Sequence, residues 1–102
     1  MTMNDLDPHD EAILTLAASL LDSVGAHRPI VPAEVALPCL QAAELLESAG
    51  GRTSRVELID QQARPSILSA LSAMSKLGED VLRTDAVLEA GRSARRALNS
   101  LS

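Results

Sequence analysis

The stretch DPHDEAILTLAASLLDSVG, Asp7 to Gly25, decides the fold class. Asp7 is a residue type that caps a helix start, and Pro8 suits the first helical position, where an N–H has no partner to lose. Asp10 and Glu11 place negative charge at the positive end of the helix dipole. Ile13, Leu16, Ala17, Leu20, Leu21 and Val24 then recur with the 3.6-residue period of one helix face. Gly25 reads as a left-handed stop. The stretch therefore reads as a helix from end to end.

The rest of the chain is biased the same way. Of its 47 apolar residues, 33 are Leu or Ala, and among its 102 residues there is no Phe, Tyr or Trp. Leu and Ala favour helices, whereas sheets draw on the β-branched and aromatic types that are scarce or missing here. The expected fold is all-α: one compact bundle of four to five helices over residues 1–102, with a Leu/Ala-rich core and no aromatic residues. A core of small side chains is thin, so self-association is expected to contribute to stability.

Punctuation divides the remainder. Residues 1–6 read as a flexible acidic N-terminus and 26–32 as a proline-rich connector. Pro38 lacks a backbone donor and disfavours helical geometry at Leu37, which predicts a break there and a longer helix from Pro38 to Ala49. Leu40, Ala43 and Leu46 or Leu45 would form its buried face, and Gly50-Gly51 would end it within a glycine-rich loop at 50–54. Ser54-Arg55-Val56-Glu57 resembles a capping box, although residues 56–59 also suit a short strand. Pro65 would open a helix carrying Ile67, Leu71, Met74 and Leu77. The spacing Ile67, Ala70, Met74, Leu77, Val81, Leu88 also permits one long helix through Gly78. Leu20 to Gly25 and Leu45 to Gly50 match in pattern, as two helices ending alike would.

Charge is unevenly spread. The net charge is −5, but residues 1–50 sum to −7 and residues 51–102 to +2. Such asymmetry suits a solvated surface and also antiparallel or head-to-tail self-pairing. The lone Cys39 can form no internal disulfide, which fits a reducing cytoplasm. No apolar run approaches the roughly 20 residues needed to span a bilayer, and the N-terminus is acidic where a secretory signal would be basic.

The chemistry-bearing residues are few. Cys39 lies on an apolar helix, where a thiol behaves as a small hydrophobe, and neither His9 nor His27 is placed beside it by spacing. Asp5, Asp7, His9 and Asp10 cluster, but helix capping accounts for Asp7 and Asp10. No catalytic, cofactor or metal site is expected. Arg52, Ser54 and Arg55 follow a glycine pair and form a possible anion site without the lysine or spacing of a phosphate loop. With Arg64, Ser66, Ser69 and Lys76 they also outline a helix-turn-helix over residues 54–77. The reader helix is poor in Arg, Asn and Gln and the chain is acidic, which disfavours nucleic acid.

A helical interaction module, such as an adaptor, regulatory subunit, chaperone or antitoxin-like protein, is the leading expectation. It would bind a protein partner or itself, as a homodimer. The DNA-binding regulator is the alternative. The expected interface is a small-residue stripe near the C-terminus, Val87, Ala90, Gly91, Ala94 and Leu98, with the basic flank Arg92, Arg95 and Arg96.

Overall fold

A computed structural model of the chain describes residues 7–26, 31–53 and 63–101. Five helices occupy them: α1 (Pro8–Ala26), α2 (Ala33–Ser48), α3 (Ala63–Met74), α4 (Glu79–Leu82) and α5 (Asp85–Ser100). No strand occurs among the described residues. The fold is an all-α bundle. α1 packs on α2 and α3, α2 packs on α5, and a sparser α3–α5 contact closes the ring, with the single turn of α4 bridging α3 and α5.

Local signals set several boundaries. The Asp7 carboxylate accepts the His9 N–H at 3.2 Å, and the Asp7 carbonyl accepts the Glu11 N–H at 2.9 Å. Asp7 is thus the cap and Pro8 the first helical residue. At the far end of α2, the Gly50 N–H donates to the Glu47 carbonyl and the Gly51 N–H to the Leu46 carbonyl, both at 3.0 Å. This is the paired closure of a Schellman motif. It requires a positive φ, and Gly50 has φ 124°. Pro65 falls in the first turn of α3, where its missing donor has no partner to lose.

Other boundaries differ from the sequence expectation. α2 is one continuous helix through Pro38, with no break at Leu37. The carbonyl left free by Pro38 belongs to Glu34, an exposed residue, so water can satisfy it. α1 does not stop at Gly25, which lies inside the helix and is buried. A Cβ there would fall 2.6 Å from Leu40 Cδ2 and 3.1 Å from the Ala36 carbonyl oxygen. Gly25 permits close approach of α1 and α2 and is not a turn residue. The matching segments Leu20–Gly25 and Leu45–Gly50 therefore end in different structures. The helix expected to open at Pro65 starts at Ala63, and the long helix through Gly78 is divided into α3, α4 and α5. Residues 1–6, the capping box at 54–57 and the strand alternative at 56–59 lie outside the described residues, as do 27–30 of the connector.

Among the described residues the core contains Leu14, Leu21, Val24, Val35, Cys39, Leu46, Ile67 and Val87, interleaved with ten alanines. Leu14 and Ala18 join the α1 face, while Leu16 is 52% exposed. α1 is covered by α2 on one side and α3 on the other, so its buried arc is wider than, and rotated from, a single-sided stripe. Among the described residues, two side-chain-to-backbone bonds tie the loops to α1. Asp10 Oδ1 accepts the Gly78 N–H at 3.0 Å, and Thr15 Oγ1 accepts the Arg52 N–H at 3.1 Å. Gly51 is pressed against α1, where a Cβ would lie 2.9 Å from the Leu14 carbonyl carbon and oxygen. Among the described residues Ser93, 1% exposed in the α5 core face, is the exception to polar satisfaction, because its hydroxyl has no hydrogen-bond partner.

Two sets of stability changes follow from this packing. Gly25→Ala and Gly51→Ala are each expected to destabilise by about 1–3 kcal/mol, because the added methyl must displace packed atoms. Gly91→Ala meets only Arg95 Nη1 at 3.5 Å and Met74 Cε at 3.9 Å. It should be neutral or stabilise by up to about 1 kcal/mol, the helix-interior gain of Ala over Gly. Ser93→Ala should stabilise by about 1 kcal/mol, since an unpaired buried hydroxyl carries its full desolvation penalty. Urea unfolding followed by far-UV circular dichroism checks both sets. Equal midpoints for Gly25→Ala, Gly51→Ala and Gly91→Ala would contradict the close-approach assignment.

Candidate functional site

α5 presents two faces of different chemistry. Val87, Ala90, Gly91, Ser93, Ala94 and Ala97 are buried, and Leu98 is partly buried. The small-residue stripe expected to meet a partner is consumed within the chain, against α2 and α3. Arg92, Arg95 and Arg96, its basic flank, are exposed. They share the outer face with Asp85 and with Leu88, a large apolar side chain left 44% exposed.

Leu88 stands as a ridge between two hollows. On one side a groove of about 220 Å³ runs along the α3–α5 seam. Its apolar lining comes from Leu71 and Met74 of α3, Leu82 of α4, and Val87 of α5, while Ser75 and Arg95 supply polar edges. Gly91 contributes no side chain, which leaves the groove open at that point. On the other side a shallower hollow of about 530 Å³ lies between α2 and α5, bounded by Leu45, Asp85, Ala86, Glu89 and Arg92. Arg92 is held by Glu89 at 2.7 Å, one turn back on the same helix. The groove exists because the α3–α5 side of the ring is its least closely packed. At about 220 Å³ it falls below the ~300–1,000 Å³ of small-molecule pockets, so it suits an inserted aliphatic side chain.

The sequence-derived anion site is differently arranged. In the loop after α2, the Thr53 hydroxyl donates to Glu47 Oε2 at 2.6 Å and the Thr53 N–H donates to the same oxygen at 3.4 Å. The Arg52 N–H is taken by Thr15, although the Arg52 side chain is exposed. The backbone donors of Gly50 to Thr53 are thus engaged, and one acceptor is a carboxylate, which opposes an anion. Ser54 and Arg55 lie outside the described residues. Arg64, Ser69 and Lys76 are exposed and Ser66 is half-buried. Arg64 and Ser69, five residues apart on α3, stand about 140° apart around the helix, so they share no face. A helix-turn-helix over residues 54–77 would turn at Arg64–Pro65, but both lie inside α3, and residues 54–62 of its first helix lie outside the described residues.

The remaining candidates are structurally occupied. Asp7 and Asp10 accept backbone N–H groups from His9 and Gly78. Among the described residues no three His, Cys, Asp or Glu side chains are grouped to hold a metal. Cys39 is fully buried in α2, and burial pushes its thiol pKa up to about 12. A thiol held protonated in an apolar core is a poor nucleophile. No helix among the described residues is long and apolar enough to cross a membrane.

No match was found. The chain resembles no known protein family, no curated protein and no solved structure at a significant level. Sequence reasoning found the basic flank of this site but missed Leu71, Leu82 and Leu88. Leu88 carried a usable signal: it is an apolar residue set among the charges of α5 and out of register with Val87, Ala90, Gly91 and Ala94.

The burial of Cys39 has a measurable consequence. The folded state keeps a thiol proton that the unfolded chain, with an ordinary thiol near 9.0, releases. The contribution is therefore fully present below pH 9 and is lost as pH rises towards about 12, by up to about 1.4 kcal/mol per pH unit. Stability measured across that window should fall more steeply for the wild type than for Cys39→Ala. Native Cys39 should also react with a thiol reagent only as fast as the bundle opens. Instant labelling would overturn its placement in the core.

Proposed function

We propose that this chain is a non-enzymatic helical interaction module of the cytoplasm, which binds protein through the α3–α5 groove and the Leu88 ridge. The observation that carries the reading is a large apolar side chain exposed beside an apolar groove, on a helix face that is otherwise charged. Burying Leu88 and the groove lining against a partner gains hydrophobic free energy that the isolated chain forgoes. The groove's volume favours a protein side chain over a cofactor, and the surrounding charges supply a polar rim. The core placement of Cys39 supports a role without covalent chemistry.

Photo-crosslinking tests the reading. A photoreactive residue placed at Leu88 should capture a discrete protein species in cells. The same residue placed at Leu37, a leucine on α2 that is more exposed still, should not. Arg95→Glu should reduce the adduct at position 88 by about tenfold, equivalent to ~1.4 kcal/mol. Equal capture at both positions, or none at position 88, would contradict the groove as a binding face.

A further inference from the structure

We propose that the groove's occupant is a second copy of this chain, docked antiparallel through the outer face of α5. This rests on the reading of the groove as a protein-binding face and names its partner. Asp85, Leu88, Arg92 and Arg95 follow one another at i, i+3, i+7 and i+10, and all four are exposed. They form one stripe on the side of α5 opposite the buried Val87, Ala90, Ala94 and Ala97. Acid stands at the start of the stripe and base at its end. In a two-fold antiparallel pairing centred on residue 90, Asp85 meets the partner's Arg95, and Arg95 meets the partner's Asp85. A parallel pairing would set acid on acid and base on base.

The charges are available for this. Among the described residues neither Asp85 nor Arg95 has an ion-pair partner within the chain, whereas Arg92 is engaged by Glu89 and Arg83 by Glu79. The apolar part fits the same symmetry. The two Leu88 side chains lie four residues apart along the paired helices, about 6 Å, on either side of the two-fold axis. Each ridge can then seat beside the other's groove, which a two-fold interface requires, since one patch must be complementary to itself. Each chain supplies one large apolar side chain on this face and α5 is only about 24 Å long, so the dimer is a weak one, in roughly the micromolar range.

Sedimentation equilibrium at low salt tests the arrangement by charge swapping. The wild type should show a monomer–dimer equilibrium that weakens as salt is raised. Asp85→Arg and Arg95→Asp should each weaken dimerisation by at least about tenfold with unchanged helicity by circular dichroism. An equimolar mixture of the two variants should recover it, because every cross-chain pair is again opposite in sign. That recovery also shows that both variants are folded. A wild type that stays monomeric up to millimolar concentration, single variants that dimerise as well as the wild type, or a mixture that stays monomeric would each overturn the proposal. If crosslinking at position 88 still captures a different protein while the wild type is monomeric, only self-pairing fails. If neither is seen, the interaction-module reading fails with it.

Discussion

The structure depends on how closely its helices can approach one another. With no side chain larger than leucine or isoleucine fully buried among the described residues, the space between helices cannot be filled by a few large groups. It has to be kept small. Alanine does this along the faces of α1, α2 and α5, and glycine does it where even a methyl would collide. Gly25 faces Leu40 and the Ala36 carbonyl, and Gly51 faces the backbone of Leu14. Dispersion contacts fall off steeply with separation, so a bundle of this kind draws its cohesion from proximity. A methyl added at the wrong place costs more than it would in a core of large, adjustable side chains.

The same constraint explains where the surface is unfinished. Close approach is achieved on three sides of the ring, between α3 and α1, α1 and α2, and α2 and α5. On the fourth side, α3 ends at Met74 and the chain turns through α4 before α5 begins. The short α4 contributes Leu82 to the seam but buries no residue fully. The seam is therefore lined by Leu71, Met74, Leu82 and Val87 without being closed by them. Exposed apolar surface gathered on the weakest side of a bundle, next to unpaired charges, is what distinguishes this region from the scattered Leu16, Leu37 and Leu68 elsewhere.

Features governed by neighbouring residues were legible in the sequence. Asp7 and Pro8 announce the start of α1, and Gly50-Gly51 the end of α2, because capping and closure involve groups within a few residues of each other. Features governed by distant contacts were not. Gly25 carries the same local signature as Gly50, yet its role is set by Leu40 on another helix. The buried arc of α1 moved from Leu16 to Leu14 because two helices cover it, which a periodicity count cannot register. Pro38 was overridden in the same way: the α2 face from Val35 to Leu46 is buried against α1 and α5, and that packing holds the helix together across a single lost hydrogen bond. At the candidate site, the arginines of α5 were visible, but the small-residue stripe beside them could equally serve the core or a partner. Only the placement of α2 and α3 assigns it to the core and leaves Leu88 outside.

The bond from Gly78 to Asp10 joins residues 68 positions apart. Closing so long a loop carries an entropy cost that helix formation within α1 or α2 does not, so contacts of this kind tend to form late in folding and open early. The turn between α3 and α4, the short helix that supplies Leu82 to the groove, is thus secured to the first turn of α1 by a contact of this long-range kind. A change at Asp10, in the first turn of α1, would therefore be felt at the turn between α3 and α4, although the two are far apart in the sequence.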